Sequence, residues 1–207
     1  MENKEKMRIA VLALQGAFAE HEQRLRTLGA DVFEVRNLRD WQQPKDGLVL
    51  PGGESTVQAR LLNELGLMAP IRGAINDGLP VLATCAGLIL LAKEEDGRTR
   101  NGLCTMDIEV VRNAYGRQLG SFNTHGKVKG LTDDVPMTFI RAPYVRRVLS
   151  PDAEVLAEVD GHIVAVRQGH QIATAFHPEL TDDLRLHQLF MAYSKPRTTQ
   201  APRPLLP

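Results

Sequence analysis

Apolar runs and stretches of helical periodicity alternate along the first half of the chain. Continuous apolar runs predict buried strands over residues 9–14, 32–35, 47–50 and 79–83. Between them, apolar positions recur every three or four residues and predict amphipathic helices, with the faces Phe18–His21–Leu25–Leu28 and Val57–Leu61–Leu62–Leu65 and a third helix over residues 87–93. Because strands without polar alternation are buried on both sides, we expect an α/β fold with a mainly parallel central sheet and helices on both faces.

The second half of the chain is strand-rich. Apolar or period-two stretches predict strands over residues 106–111, 137–140, 155–159, 163–166 and 172–176. The Asp160-Gly161 turn signal predicts at least one hairpin, so these strands extend the sheet in antiparallel fashion. A final helix is predicted from about Thr181 or Asp182. Four of the 12 prolines follow Ser194. We therefore predict a single domain over residues 7–193, with residues 1–6 and 194–207 as flexible termini.

Composition narrows the class of protein without identifying the chemistry. The 207 residues carry 25 Lys and Arg against 25 Asp and Glu, so no excess of positive charge favours nucleic acid or anionic membranes. The two cysteines, Cys85 and Cys104, are not in CxxC spacing, which argues against a disulfide framework or a thiolate zinc site. The N-terminal apolar run is too short to span a membrane. We expect a cytoplasmic protein that needs no metal or cofactor.

Cys85 lies where the apolar run 79–83 meets the helix predicted over 87–93. Small residues flank it in the segment Thr84-Cys-Ala-Gly. This is the nucleophile-elbow arrangement, in which the side chain projects from the strand end, the helix N-terminus favours a thiolate, and the next backbone N–H, from Ala86, supports an oxyanion. On this segment alone, a buried core cysteine is an equally good interpretation.

His177 is a candidate base for such a nucleophile. It follows the strand predicted over 172–176 and precedes Pro178 and Glu179. In an extended segment, a spacing of two places the imidazole and the carboxylate on one side, where Glu179 could orient His177. Taken alone, the segment fits a surface turn before the final helix better. The other five histidines have no ligand-like spacing with acidic neighbours, so no metal site is predicted.

A pair of glycines, Gly52 and Gly53, follows the strand predicted over 47–50. Their backbone can approach a ligand closely and direct N–H groups at an anion. The segment is not a P-loop, because the Lys-Ser/Thr pair of that motif is absent. The alternative is a strand–helix turn capped by Ser55, with Glu54 stabilised near the helix N-terminus.

With these segments in order, the sequence resembles class I glutamine amidotransferases, and within them the glutaminase subunits of pyridoxal 5′-phosphate synthase. The motifs that carry the resemblance span about residues 7–193 and are Leu14-Gln-Gly-Ala, Pro51-Gly-Gly-Glu-Ser-Thr, Cys85-Ala-Gly-Leu-Ile-Leu-Leu-Ala-Lys, Arg112-Asn-Ala-Tyr-Gly-Arg-Gln, Phe139-Ile-Arg-Ala-Pro and Phe176-His-Pro-Glu-Leu-Thr. The fold that this resemblance implies is three-layered and flavodoxin-like.

The resemblance implies hydrolysis of L-glutamine to L-glutamate and ammonia by a triad of Cys85, His177 and Glu179. By the family's pattern, the backbone N–H groups of Gly53 and Ala86 hold the oxyanion. The implied glutamine-binding residues are Gly53, Glu54, Ser55, Arg112, Ile140 and Arg141. An arginine suits the α-carboxylate of glutamine, because its planar fork can bond both oxygens.

The resemblance also implies a protein partner, the synthase subunit that builds pyridoxal 5′-phosphate from ribose 5-phosphate, glyceraldehyde 3-phosphate and ammonia. Docking would settle the loop from Pro51 to Gly53, with Gln15 and Gly16 as part of the coupling. We therefore expect low glutaminase activity in the free chain and a rise in the presence of the synthase subunit. Cys104 lies outside every motif and is predicted to fill core or surface space.

Two alternatives differ in class from this prediction. One is another hydrolase of glutamyl substrates with a cysteine elbow, which should lack the segments after Arg112 and Ile140. The other is a binding subunit that kept the fold and lost turnover, which loss of a triad residue would favour. The sequence retains Cys85, His177 and Glu179.

Overall fold

A computed structural model describes residues 6–99, 101–112 and 121–194 of the chain. The strands in these ranges are β1 (Arg8–Leu12), β2 (Asp31–Val35), β3 (Gly47–Leu50), β4 (Val81–Thr84), β5 (Ala92–Glu95), β6 (Arg98–Thr99), β7 (Met106–Val111), β8 (Ser121–Gly126), β9 (Val135–Ile140), β10 (Tyr144–Val148), β11 (Ala153–Val159), β12 (His162–Gln168) and β13 (Gln171–Thr174). The α-helices are α1 (Phe18–Thr27), α2 (Leu38–Trp41), α3 (Ser55–Glu64), α4 (Met68–Asn76), α5 (Ala86–Leu91) and α6 (Arg185–Tyr193), and a 3₁₀ turn spans Pro178–Leu180.

Five parallel strands form one side of the main sheet, in the order β2-β1-β3-β4-β13 with β2 at the edge. Every residue of β3, β4 and β13 is buried, which agrees with the mainly apolar sequence of β3 and β4. The predicted parallel sheet is confirmed. Because adjacent parallel strands end at the same edge, the segments that follow β1, β3, β4 and β13 are brought together there.

The second half of the chain extends the sheet with strands that are mostly antiparallel. Strand β12 pairs with β13 and β11, and the order continues through β10, β7, β5 and β6. The predicted hairpin at Asp160-Gly161 is confirmed, and both residues have positive φ, 50° and 76°. Strands β8 and β9 form a separate two-stranded sheet.

Helices cover both faces of the central sheet, as predicted. Helices α1 and α6 lie on the same side, where His21 of α1 contacts His187 of α6. Helix α5 packs against β3 and β4 and contacts α3. The sequence between β4 and β5 is almost entirely buried, because it lies between the sheet and α3.

Several predicted boundaries are wrong. The helix predicted over 87–93 ends at Leu91, and the next residues form β5. The strand predicted over 172–176 ends at Thr174. The final helix begins at Arg185 rather than near Thr181, because Thr181 is extended, with φ −117° and ψ 164°, after a 3₁₀ turn over Pro178–Leu180. Strands β5, β6, β8 and β10 were not predicted. Their exposed polar residues and short lengths give little apolar periodicity.

Ser194 lies at the C-terminal end of α6 and is buried, and its hydroxyl donates to the carbonyl of Phe190 at 3.2 Å. The predicted flexible termini otherwise lie at or beyond the limits of the described residues, as do residues 113–118 of the Arg112 motif. Within the described ranges, no helix is long and apolar enough to cross a membrane.

Candidate active site

Four segments meet at the carboxyl edge of the parallel strands. They are the turn after β1 with Gln15 and Gly16, the loop after β3 with Gly52 and Gly53, the elbow at Cys85 after β4, and His177 after β13. These segments line a cavity of about 530 Å³, a volume that suits a small-molecule ligand. The order of strands in the sheet therefore assembles residues that are far apart in sequence.

Cys85 occupies a strained turn between β4 and α5. Its φ is 46° and its ψ is −99°, a backbone conformation that non-glycine residues rarely adopt and that recurs at functional sites. The Cys85 N–H donates to the carbonyl of Thr174 at 2.8 Å, which ties the turn to β13. Its side chain lines the cavity, and Ala86 is the first residue of α5. The structure therefore has the elbow that the sequence predicts.

His177 and Glu179 form a buried pair beside Cys85. The Nδ1–H of His177 donates to Oε1 of Glu179 at 2.6 Å. Cys85 lies close enough to the same imidazole to help raise its pKa. Because Nδ1 is engaged by the carboxylate, Nε2 is the ring nitrogen left for a contact with Cys85. The predicted contact is present, but its predicted cause is wrong: the segment is a 3₁₀ turn rather than extended. The interpretation as a surface turn is also wrong, since both residues are less than a tenth exposed.

The electrostatics of this pair favour a protonated imidazole. Burial alone would lower the pKa of His177, but its hydrogen bonds to Cys85 and Glu179 outweigh burial and raise that pKa to about 10. Burial likewise opposes ionisation of Glu179, yet the neighbouring imidazoles of His21 and His177 hold its pKa below the usual value. A cationic His177 beside the sulfur stabilises negative charge on Cys85.

The loop after β3 is fixed by hydrogen bonds from three directions. The Gly52 N–H donates to Oγ1 of Thr84 at 2.9 Å, and the Gly52 carbonyl accepts from the N–H of Ala17 at 3.1 Å. The Glu54 N–H donates to Oε1 of Gln15 at 2.7 Å. Gln58 donates to the carbonyls of Gln15 and Pro51 at 2.9 and 3.2 Å. The loop that carries Gly53 is thus joined to the turn after β1.

Two residues that support this loop were not predicted as site residues. Thr84 appeared only as the residue before Cys85, and Gln58 lies on a helix face that the apolar pattern does not include. The predicted cap is also different: Glu54, rather than Ser55, is the N-cap of α3, and its carboxylate accepts from the N–H of Thr56 at 3.2 Å.

Gly52 lies against the side chains of Cys85 and His177. A Cβ added there would come within 2.3 Å of Cε1 of His177 and 3.4 Å of the Cβ of Cys85. Gly16 is equally confined, because its φ is 103° and an added Cβ would lie 1.8 Å from the carbonyl oxygen of Gly52. Both positions therefore require glycine for close approach of the backbone.

We expect Gly52→Ala to lower the turnover of this site by about 10²-fold or more, because a small misplacement of a catalytic group has an effect of that size. The new methyl group must displace the His177 ring or the loop. The matched control is Gly73→Ala in α4, where an added Cβ meets nothing within 4 Å. Steady-state kinetics of both variants check this prediction. Equal activity in Gly52→Ala and the native chain would contradict the geometry described here.

Glu54, Ser55 and Arg112 are brought together at the cavity wall, as the predicted ligand-binding set requires. The guanidinium of Arg112 donates to Oε1 of Glu54 at 3.0 Å and to the hydroxyl of Ser55 at 2.8 Å. It also pairs with Glu95 of β5 at 3.3 Å. Glu95 was not predicted, because β5 itself was not. The arrangement places a cation and a carboxylate side by side, as an α-amino acid ligand requires.

Ile140 and Arg141 also line the cavity, at the end of β9 and just after it. Arg141 has a φ of 42°, so the chain turns sharply there. Ile140 is 38% exposed, so a large apolar side chain on the cavity wall is open to solvent. Of the predicted site residues, Ala86 and Glu179 do not line the cavity. Glu179 contacts His177 from the side away from the cavity. Ala86 is the first residue of α5 and follows Cys85 directly.

Fold and site together define an α/β protein with a cysteine, histidine and glutamate constellation at the carboxyl edge of a parallel sheet. Residues 11–195 match the model of the SNO glutamine amidotransferase family. This chain belongs to the SNO glutamine amidotransferase family.

Named relatives and solved structures agree with this assignment. The chain is 54% identical over 192 residues to the pyridoxal 5′-phosphate synthase subunit PdxT of Streptococcus pneumoniae strain CGSP14, covering 91% of this chain and 98% of the relative. It is 55% identical over 185 residues to the same-named subunit of Desulfitobacterium hafniense, covering 89% and 92%.

Among solved structures, a crystal structure of a glutamine amidotransferase superposes with a TM-score of 0.83 at 43% identity, covering 90% of this chain and 98% of that one. The structure of PurLQS from Thermotoga maritima has a TM-score of 0.66 at 17% identity, covering 92% of this chain and 100% of the matched chain. The second likeness shows the fold alone.

Proposed function

We propose that this chain hydrolyses L-glutamine to L-glutamate and ammonia and delivers the ammonia to the synthase subunit of pyridoxal 5′-phosphate synthase. The observation that carries the proposal is the placement of Cys85 and His177 on the wall of one cavity, with Glu179 bonded to the far side of the imidazole. Membership of a glutamine amidotransferase family supplies the reaction class.

In the first step, the Cys85 thiolate attacks the side-chain amide carbon of glutamine. The S–C bond forms as the C=O π pair moves to oxygen, giving a tetrahedral oxyanion. We assign the N–H groups of Gly53 and Ala86 to this oxygen. The support is positional: Gly53 lines the cavity, and Ala86 follows Cys85 at the N-terminus of α5. Backbone donors held in place contribute strongly to such stabilisation.

In the second step, Nε2 of His177 donates its proton to the amide nitrogen, the C–N bond breaks and ammonia leaves. The product is a γ-glutamyl thioester on Cys85. His177 then removes a proton from a water molecule, which attacks the thioester carbonyl, and the C–S bond breaks to release glutamate. Glu179 keeps the imidazole in the required tautomer by accepting from Nδ1–H at 2.6 Å.

The cavity supports recognition of the amino acid end of glutamine. We assign the α-carboxylate to Arg112 and Arg141 and the α-amino group to Glu54, with Ser55 and the backbone near Ile140 completing the pocket. The geometry that favours this is the contact of Arg112 with both Glu54 and Ser55, which holds opposite charges at fixed positions. When glutamine binds, its α-carboxylate would replace Glu54 as a partner of Arg112, and its α-amino group would replace Arg112 as a partner of Glu54.

The partner would act on the turn after β1. Gly16 is exposed, and its neighbours Gln15 and Ala17 both bond the loop that carries Gly52 and Gly53. A protein that binds this turn would therefore displace or settle the oxyanion loop. The synthase subunit would use the ammonia with ribose 5-phosphate and glyceraldehyde 3-phosphate to build the cofactor. A cytoplasmic location fits this role, and neither Cys85 nor Cys104 is in a disulfide.

The proposal is tested by measuring ammonia release from glutamine for the chain alone and for its complex with the synthase subunit. We expect low release from the chain alone and a rise of about tenfold or more in the complex, since small shifts of an oxyanion donor have effects of that order. Equal rates in the two conditions would disprove the coupling through Gln15 and Gly16. An absence of glutamine-dependent release in the complex would disprove the function itself.

A further inference from the structure

Two histidines that the triad does not use are buried directly behind it. His21 of α1 and His187 of α6 are both 0% exposed. Nδ1 of His21 lies 3.0 Å from Nε2 of His187, and the ring planes are inclined at 55°. On its other side, Nε2 of His21 lies 3.2 Å from Oγ1 of Thr84 and 3.4 Å from Oε2 of Glu179. Burying two imidazoles is costly unless their polar atoms are paired.

Burial favours the neutral form of both imidazoles. Burial lowers the pKa of His21, and burial together with the neighbouring His21 lowers the pKa of His187 to about 3. In a neutral histidine one ring nitrogen donates and the other accepts. The contact between Nδ1 of His21 and Nε2 of His187 therefore needs one donor and one acceptor, which leaves two possible arrangements of the protons.

The surroundings select one arrangement. If His187 carries its proton on Nε2, it donates to His21, whose own proton is then on Nε2 and faces Thr84 and Glu179. The opposite arrangement would place a lone pair of His21 against the carboxylate. It would also leave a buried N–H at Nδ1 of His187, which has no hydrogen-bond partner among the described residues. An unpaired buried donor is rarer and costlier than an unpaired lone pair.

The Nε2–H of His21 thus points at the carboxylate oxygen that His177 does not use. Oε2 of Glu179 makes no hydrogen bond of standard geometry within the part of the chain that the structure describes, although its side chain is fully buried. The same N–H approaches Thr84, whose hydroxyl oxygen accepts from the N–H of Gly52. One imidazole therefore adjoins both the carboxylate of the triad and the support of the oxyanion loop.

We propose that His21 is a positioning residue of this site: its Nε2–H, set by donation from His187, fixes the Glu179 carboxylate and Thr84 together, so that the triad and the Gly52–Gly53 loop keep one relative geometry. The effect on turnover rests on the proposed glutaminase function, whereas the proton arrangement is a property of the folded chain. His21 touches neither the cavity nor the reacting atoms.

A pair of amide variants separates positioning from packing. The amide of His21→Gln reaches the Nε2 position and keeps a donor toward Glu179 and Thr84, whereas the amide of His21→Asn reaches only the Nδ1 position and keeps the contact with His187. In the complex with the synthase subunit, we expect kcat to fall about 10- to 100-fold in His21→Asn, the range set by one hydrogen bond to a charged group. We expect a smaller loss in His21→Gln, and KM for glutamine within about twofold in both. The control is the same substitution at an exposed site, His125→Asn.

Equal losses of kcat in the two His21 variants, or a change confined to KM, would overturn the proposal. If His21→Asn does not fold, the proton arrangement can still be measured in the native chain.

Long-range proton–nitrogen NMR of the ¹⁵N-histidine-labelled native chain should show His21 and His187 both protonated at Nε2. Protonation of either residue at Nδ1 would overturn the proposal. Because this measurement needs no glutamine, its result is independent of whether the glutaminase assay succeeds.

Discussion

Replacing Cys85 with alanine is expected to reduce glutamine-dependent ammonia release in the complex by about 10⁴-fold or more, the size of effect that loss of a catalytic nucleophile produces. In the proposed mechanism the Cys85 sulfur forms the covalent bond, and no other described side chain on the cavity wall offers an equivalent nucleophile beside His177. The backbone turn between β4 and α5 should keep its conformation, since alanine differs from cysteine only beyond Cβ. Binding of glutamine should change little, because Arg112 and Glu54 are untouched.

The chain carries its own control for this experiment. Cys104 also has a positive φ, 53°, and it lies outside the cavity lining. Cys104→Ala should therefore keep native activity while removing the same sulfur atom from another residue of positive φ. Ammonia release that persists in Cys85→Ala, or that is lost equally in both variants, would contradict a mechanism through Cys85.

Replacing Glu179 with glutamine is expected to lower kcat by about 10³- to 10⁴-fold, the loss seen when the carboxylate of a catalytic triad becomes an amide. The amide is nearly the same size, but its NH₂ group can face Nδ1 of His177 and select the wrong tautomer. The imidazole would then present a proton where it must accept one. The matched control is Glu158→Gln on the exposed side of β11. Activity of Glu179→Gln within tenfold of native would count against the role of Glu179.

The same variant changes the titration of His177. In the native chain the pKa of His177 is raised to about 10, in part by its bond to Glu179. Removing that negative charge destabilises the imidazolium, so the pKa must move down toward the ordinary value of 6.5 and the proton must leave at lower pH. NMR titration of the His177 ring in both chains measures this. An unchanged midpoint would show that Cys85 alone holds the proton.

The fold, and Cys85, His177 and Glu179 as candidate residues, follow from local patterns in the sequence, whereas the predicted ligand-binding residues follow from the family resemblance. Unbroken apolar runs predict buried parallel strands. The carboxyl ends of these strands lie at one edge of the sheet, which brings Cys85, Gly53 and His177 together. The His177-Pro-Glu segment shows where this reasoning stops. A spacing of two suggested an extended segment, yet the contact forms through a 3₁₀ turn, because Pro178 begins the turn and the surrounding strands bury it.

The supporting residues were missed for a different reason. Thr84, Gln58, His21 and His187 act through contacts between elements that are distant in sequence. His21 and His187 are separated by 166 positions and meet only because α1 and α6 share one face of the sheet. A buried histidine in an apolar stripe gives no local sign of its partner. Such contacts can be inferred once the order of the strands is known.

The central claim is that Cys85 takes the γ-glutamyl group from glutamine. Mass spectrometry of the complex, quenched with acid during turnover, measures this directly. We predict a peptide containing Cys85 whose mass is increased by one γ-glutamyl group, with more of it in variants whose thioester hydrolysis is slowed. Turnover at native rate with no acyl group on Cys85, or with the group on another residue, would contradict the account.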